Sequence, residues 1–255
     1  MLLTVDIGNT NIVLGLFEND KLIHKWRIAT QKQLTEDEYA NKLLPLFNYA
    51  EIDYTKINGA IISSVVNKIT KPMAIFVEKY LKLSSIIASE VEHDININID
   101  VGTKLGSDIL ANAIASNRMY NENCIFIDFG TALVIGIIKK EKEFIGGLIL
   151  PGLQTSFNSL IKSTDRLFYT HLLKPDNIVG ENTEDCLRSG MFYLYKESIN
   201  GIINKIKKEL DIDFKVIVTG GNAILIQGEI KNIDVFEPNL TLEGLNILYK
   251  MHKNK

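Results

Sequence analysis

Arginine is scarce in this 255-residue chain: the 28 basic residues include only Arg27, Arg118, Arg166 and Arg188. Bidentate clamps on carboxylate or phosphate prefer arginine, so few can be built here. Cysteine is scarcer still, with Cys124 and Cys186 alone. Two such residues form no disulfide framework and have no metal-ligand spacing, and Cys124 lies in the apolar run Cys124-Ile125-Phe126-Ile127, where core is its simplest role. No apolar run approaches the length of a membrane span. The chain starts directly on an apolar strand with no signal-peptide pattern, so a cytoplasmic protein is expected. The net charge of −3 gives no electrostatic reason for nucleic acid or an anionic membrane as partner. The usual nucleotide signatures are missing too: there is no G-x-x-x-x-G-K-[ST], and no G-x-G-x-x-G follows a strand. No linker or low-complexity segment divides the chain.

What is present is a repeated hairpin. Met1-Leu2-Leu3-Thr4-Val5 reads as a buried strand ending at Asp6-Ile7-Gly8-Asn9-Thr10, and Ile12-Val13-Leu14-Gly15-Leu16-Phe17 reads as its partner. A carboxylate at a strand end can hold a cation, directly or through water. A glycine turn can bring the N–H groups of Gly8, Asn9 and Thr10 onto a phosphate oxygen. An ordinary hairpin turn uses the same residue types. The pattern returns at Ile125-Phe126-Ile127-Asp128-Phe129-Gly130-Thr131, followed by Val134-Ile135-Gly136-Ile137-Ile138. A third strand follows each hairpin, at 21–28 and 144–150. Two three-stranded openings with an acid-x-Gly turn, half a chain apart, point to an internal duplication. The expectation is an α/β protein of two similar lobes, 1–117 and 118–255, with a ligand cleft between them.

The remaining segments fill out the lobes. Thr35 with Glu36-Asp37-Glu38 starts a helix that Pro45 is expected to shorten or kink. Ala60-Ile61-Ile62 is a strand ending in Ser63-Ser64, and Pro72 is expected in the first turn of the next helix. Gly106-Ser107-Asp108 opens a further helix; as a bare pattern, Ser107 or Asp108 is an N-cap. Ile199, Ile202, Ile203, Ile206 and Leu210 form the core stripe of a long helix beginning near Thr183. The run 215–223 is strand, then Gly220-Gly221, then helix: either a tight turn or a close backbone approach to a nucleotide.

Three small-residue turns and strand-end acids suit ATP bound in a cleft, and the arrangement resembles the acetate and sugar kinase, heat-shock chaperone and actin superfamily, whose lobes are RNase H-like with mixed sheets. Within it the chain resembles the type III pantothenate kinases. The matching segments run end to end: Asp6-Ile7-Gly8-Asn9-Thr10, Trp26-Arg27-Ile28-Ala29-Thr30, Ile62-Ser63-Ser64-Val65-Val66, Gly106-Ser107-Asp108, Asp128-Phe129-Gly130-Thr131-Ala132, Gly146-Gly147 with Pro151-Gly152, Gly180-Glu181-Asn182-Thr183, Thr219-Gly220-Gly221, and Pro238-Asn239-Leu240-Thr241-Leu242-Glu243-Gly244-Leu245.

The resemblance implies ATP-dependent phosphorylation of pantothenate to 4′-phosphopantothenate, the first step of coenzyme A biosynthesis. It implies that Asp6, Ile7, Gly8, Asn9, Thr10, Asn11, Ile12 and Val13 hold the triphosphate and that Thr131 contributes to ATP. Asp108 is then the general base, and Asp128 holds a monovalent cation, potassium or ammonium. A magnesium ion bound mainly by phosphates and water completes the site. The resemblance also implies a homodimer in which Thr183 reaches the neighbour's substrate pocket, formed by Gly106, Ser107, Asp108 and the positions of Ile99 and Ile109.

Departures concentrate on the acceptor side. The family pattern is Gly-Ala-Asp-Arg where this chain has Gly106-Ser107-Asp108-Ile109, and Ile109 has neither the charge nor the donors of arginine. A family tyrosine is Ile99 here and the proline between them is Gly102. Two threonines and an aspartate after the second turn are Leu133, Val134 and Gly136. Two other readings therefore stand beside the pantothenate kinase: a non-catalytic nucleotide-binding homologue acting as a regulator, and a kinase for another small hydroxylated acceptor. Asp6, Asp108, Asp128 and Thr131 are all kept, which argues against complete decay.

Overall fold

The computed structural model describes residues 1–100, 102 and 104–253. In chain order its elements are β1 (Leu2–Ile7), β2 (Asn11–Glu18), β3 (Lys21–Ala29), α1 (Glu36–Tyr49), β4 (Gly59–Ser64), α2 (Asn67–Leu81), β5 (Ser85–Ile87) and β6 (Asn96–Ile97). Then come α3 (Ser107–Tyr120), β7 (Cys124–Phe129), β8 (Ala132–Lys139), β9 (Glu143–Pro151), α4 (Leu153–Lys162), α5 (Thr183–Leu210), β10 (Lys215–Thr219), β11 (Val235–Phe236) and α6 (Leu240–Lys253). They form two compact units, Met1–Ile95 with Val101–Ala115 and Leu240–Lys255, and Asn96–Asp100 with Ser116–Asn239. The repeat in the sequence divides the chain at 117/118, whereas packing assigns the last helix to the first unit. The cause is local: α6 lies against β1 and β4, and an added Cβ on its Gly244 would run into the Ala111 backbone of α3.

The first unit has the sheet order β3-β2-β1-β4-β5. Its first three strands form an antiparallel meander, and β4 then joins β1 in parallel. A parallel return needs a crossover, which α1 supplies. That helix starts on a capping box, with Thr35 and Glu38 exchanging side-chain and backbone hydrogen bonds, and buries Tyr39, Ala40, Leu43 and Phe47. Pro45 does not shorten it, and the helix runs on to Tyr49. Pro72 lies beyond the first turn of α2, which begins earlier, at Asn67. Leu3, Val5, Ile12, Leu14, Ile62, Phe47, Met73 and Phe76 share one core.

The second unit repeats the plan, with sheet order β11-β10-β7-β8-β9-β6. Read from β9 it is the first sheet again, with β6 added at the edge. Both β1 and β7 are buried throughout except at the acid, Asp6 or Asp128. Even the register slip recurs at matching positions, between Leu16 and Phe17 and between Ile137 and Ile138. After β10 the expected helix is only a 3₁₀ turn, Ala223–Leu225. The two-residue strand β11 pairs in parallel with β10 and has too short a pattern to be seen in the sequence. The second core joins Ile125, Ile127, Phe129, Ile135, Phe157, Phe192, Ile199 and Ile203. No helix among the described residues is long and apolar enough to cross a membrane.

Candidate active site

In the first unit, parallel pairing sets Ser63 of β4 opposite Asp6 of β1. The buried Ser63 hydroxyl donates to Asp6 Oδ1 at 3.1 Å and lies 2.9 Å from Ser107 Oγ. Ser107 Oγ also accepts the Ser64 N–H at 3.1 Å. Asp6 and the first residue of α3 are thus joined through one buried hydroxyl. Ser107 is already helical and turns its side chain to β4, so it does not cap the helix.

Asp108 follows it. Its Oδ1 accepts the adjacent Ile109 N–H at 2.8 Å; as the second residue of α3 it stands inside the helix, so neither it nor Ser107 is the N-cap expected from sequence. The carboxyl folds back so far that a Cβ on Gly106 would come within 2.6 Å of that oxygen. Burial pushes the Asp108 carboxyl above its ordinary value of 3.8, opposed in part by the hydrogen bond from Ile109 N–H. Neither an ion-pair partner nor a perturbing cation is found for it among the described residues. A half-buried carboxylate with one oxygen held by backbone is equipped to accept a proton.

The turn after Asp6 differs from expectation in one respect. Gly8 N–H donates to Asn11 O at 3.0 Å, so this amide closes the turn and is not offered to a phosphate. Asn9 and Thr10 are exposed at its tip. Gly8 is needed for space rather than for an unusual φ, since a Cβ there would stand 3.1 Å from Asn11 O. Thr30, just past β3, clamps the turn twice: its N–H reaches Thr10 O at 2.9 Å and its hydroxyl reaches Gly8 O at 2.7 Å.

In the second unit, Gly130 N–H closes the turn onto Ala132 O at 3.1 Å. Thr131 O accepts from Gly152 N–H at 3.0 Å and from the Thr155 hydroxyl at 2.7 Å. Thr219, the last residue of β10, pairs with Asp128. The next residue, Gly220, has φ +94° and lies so close that a Cβ would be 2.5 Å from Asp128 Oδ1 and from Phe129 N. Only glycine meets both conditions. Of the two readings of the Gly-Gly turn, the structure therefore has a tight turn brought against the strand-end acid.

Thr183 is exposed at the start of α5, whose cap Asn182 accepts the Asp185 N–H. Ile109 is half-buried beside Gly106, and Ile99 belongs to the second unit. Among the described residues no group of three or more His, Cys, Asp or Glu is arranged to hold a metal. A cavity of ≈640 Å³ lies against β9 and α5, lined by Ile145, Leu148, Leu150, Ile202 and Ile206, and includes none of the expected site residues. Sequence reasoning gave no role to Ser63, Thr30 or Thr155. All three act on residues distant in sequence, and only the order of strands reveals them.

The profile of the family described as type III pantothenate kinase matches residues 2–205. A type III pantothenate kinase of Halalkalibacterium halodurans is 38% identical over 251 residues, covering 98% of this chain and 99% of that protein. Among solved structures, a Campylobacter jejuni protein named for a Baf family of transcriptional activators superposes with TM-score 0.58 at 20% identity, over 99% of this chain and 100% of that one. Component A of the (R)-2-hydroxyglutaryl-CoA dehydratase of Acidaminococcus fermentans gives TM-score 0.55 at 10% identity, over 99% and 98% of the two chains. At these identities the structures speak for the shared fold alone.

Proposed function

The chain belongs to the type III pantothenate kinase family, and from that premise we propose how its own residues divide the phosphorylation of pantothenate. As a kinase it uses ATP and a divalent metal ion, and its acceptor is a small molecule; pantothenate becomes 4′-phosphopantothenate, which opens coenzyme A biosynthesis. The loop from Asp6 to Val13 takes the triphosphate, and Thr131 contributes to ATP. Asp108 accepts the proton of the attacking hydroxyl as the oxygen bonds to the γ-phosphorus and the bond to ADP breaks. The observation that carries this assignment is the state of Asp108: desolvated, without a cationic partner among the described residues, and held at one oxygen by backbone.

The metal fits this donor set in one way. With no cluster of three ligating side chains among the described residues, the protein offers no closed cage. Magnesium keeps several waters and binds through phosphates with few protein carboxylates. Asp6, at the strand end of the phosphate loop, is the group placed to reach such an ion through water. Bound there, magnesium neutralises charge developing on the phosphates. Asp128 holds the potassium or ammonium ion, with the backbone of Gly220 brought up beside it. The active form is a homodimer in which Thr183 contributes to the neighbour's acceptor pocket. In support, Phe168, Tyr169, Leu173, Ile178 and Val179 expose apolar surface in the segment before α5.

The test is ADP release from purified protein with ATP, magnesium and potassium, with and without pantothenate. Pantothenate-dependent turnover that disappears in Asp108→Asn is expected. The assignment fails if saturating pantothenate gives no ADP above the water background. A second reading, a less anionic acceptor, is favoured by Ile109 and by the lack of any perturbing cation at Asp108 among the described residues. Turnover confined to other alcohols from a panel would establish it.

A further inference from the structure

Four groups in the first unit form an unbroken line from backbone to carboxylate: Ser64 N–H, Ser107 Oγ, Ser63 Oγ and Asp6 Oδ1, at successive separations of 3.1, 2.9 and 3.1 Å. The direction of its protons follows from valence. An ionised carboxylate only accepts, so Ser63 commits its single hydroxyl proton to Asp6. Ser63 can then only accept from Ser107. Ser107 in turn accepts the Ser64 N–H, and its alternative acceptor, Ser64 O, is farther away at 3.5 Å. Each hydroxyl donates once and accepts once, and the line ends on a negative charge. Such chains polarise one another and are stronger than isolated pairs. Ser63 is fully buried and Ser107 is 5% exposed, so water does not readily replace either partner.

We propose that Ser63 and Ser107 are positioning residues that fix the first turn of α3, and with it Asp108, relative to Asp6 of the phosphate loop. Ser107 is adjacent to Asp108 in the chain, and the Leu110 N–H bond to Gly106 O at 2.9 Å closes the same turn. The link is carried by the serine side chain next to the candidate base. It rests on the assignment of Asp108 as base.

The test compares Ser107→Ala, Ser63→Ala and the double variant in pantothenate-dependent ADP release. Each single variant is expected to lower kcat about 10-fold with KM for pantothenate changed less than about 2-fold, the scale of one buried hydrogen bond in a charged chain. The double variant is expected to lose no more than either single one, because one break opens the whole line. The control is Thr241→Val, which removes the 2.8 Å bond from Thr241 to Asn112 in the middle of α3. It is expected to lower the melting temperature and to leave kcat unchanged. Unchanged kcat in Ser107→Ala, or a multiplicative loss of about 100-fold in the double variant, overturns the proposal.

Amide exchange reads the same link without turnover. Asp6→Ala is expected to speed exchange at Ser64 and through 109–111, beyond the β1–β2 turn itself. A response confined to the β1–β2 turn overturns the link. Absence of pantothenate turnover in the unmodified protein overturns the functional assignment instead, and the exchange experiment still decides the link.

Discussion

The two acid-x-Gly turns show what a duplication keeps and what it releases. Each ends a strand buried except at its acid, and each is tied by a residue after the third strand, Thr30 N–H to Thr10 O in one and Gly152 N–H to Thr131 O in the other. They differ in length by one residue: Gly8 to Asn11 separates the pair Ile7–Ile12, while Gly130 to Ala132 separates Phe129–Leu133. They differ more in the strand beside them. Asp6 receives the Ser63 hydroxyl and is linked through it to Ser107. Asp128 has the bare backbone of Gly220 pressed against it. Sheet geometry demands the shared parts, because the turn must close and the strand must stay buried. The adjacent strand ends are free to diverge, and there the two acids acquire different neighbours.

The largest effects are expected from separating the candidate base of the first unit from the acid of the second turn. Asp108→Asn should lower kcat by about 10²–10⁴-fold at every potassium concentration, the range of a general base. Asp128→Asn should cost about 10–100-fold, the scale of one interaction with a charged group, and should abolish the response to potassium. Equal losses with an unchanged potassium response would dissolve the division of labour. The pH dependence carries a sign of its own. Because burial raises the Asp108 carboxyl above 3.8, the acid limb of kcat should lie above that value. The native state also binds this proton more tightly than the unfolded chain does, so stability falls as pH rises from 3.8 through the raised value. Asp108→Asn removes that loss and should melt at a higher temperature than the parent at neutral pH, measured from pH 4 to 8.

The next contrast concerns the glycines. Gly220→Ala should cost about 2–4 kcal/mol in urea unfolding, since it combines a left-handed φ with a clash against strand β7. Gly8→Ala should cost about 1 kcal/mol or less, because its neighbour Asn11 O is at 3.1 Å and its φ is ordinary. Comparable losses would mean that both turns are held by the same constraint.

How much of this was legible beforehand follows the range of the interaction concerned. The hairpins, the long helix and the duplication are periodic or repeated within short windows, and they stand in the structure nearly where the pattern puts them. The helix start at Thr35 rests on a local rule and also holds. Pro45 does not shorten the helix because its missing donor and ring are tolerated where Leu43 and Phe47 are anchored in the core. The phosphate role for the Gly8 amide misled for the opposite reason: a turn of these residues can offer the N–H outward or close on itself, and pattern alone does not choose. Asp108 fits the pattern of a cap, yet it lies inside the helix, and the burial that makes it a candidate base has no signature in the sequence. Ser63 beside Asp6 was invisible because parallel pairing across a crossover helix brings together residues 57 apart.

The smallest contrast is between the threonine clamps, and it tests whether they matter equally. Thr30 is partly buried, and its hydroxyl holds the carbonyl of the very glycine that closes the first turn. Thr155 is exposed, and its acceptor Thr131 O keeps a second bond from Gly152 N–H. Removing Thr155's hydroxyl leaves an acceptor that is still satisfied and open to water, so Thr155→Val should change stability by less than about 0.5 kcal/mol. Thr30→Val leaves Gly8 O to find a partner in a half-buried site and should cost about 1 kcal/mol, with KM for ATP raised about 3–10-fold as the loop loosens. The KM effect should be absent in Thr155→Val if the first turn alone carries the triphosphate. An equal rise in both variants would assign the phosphates to the two turns together and would undo the contrast drawn between Asp6 and Asp128.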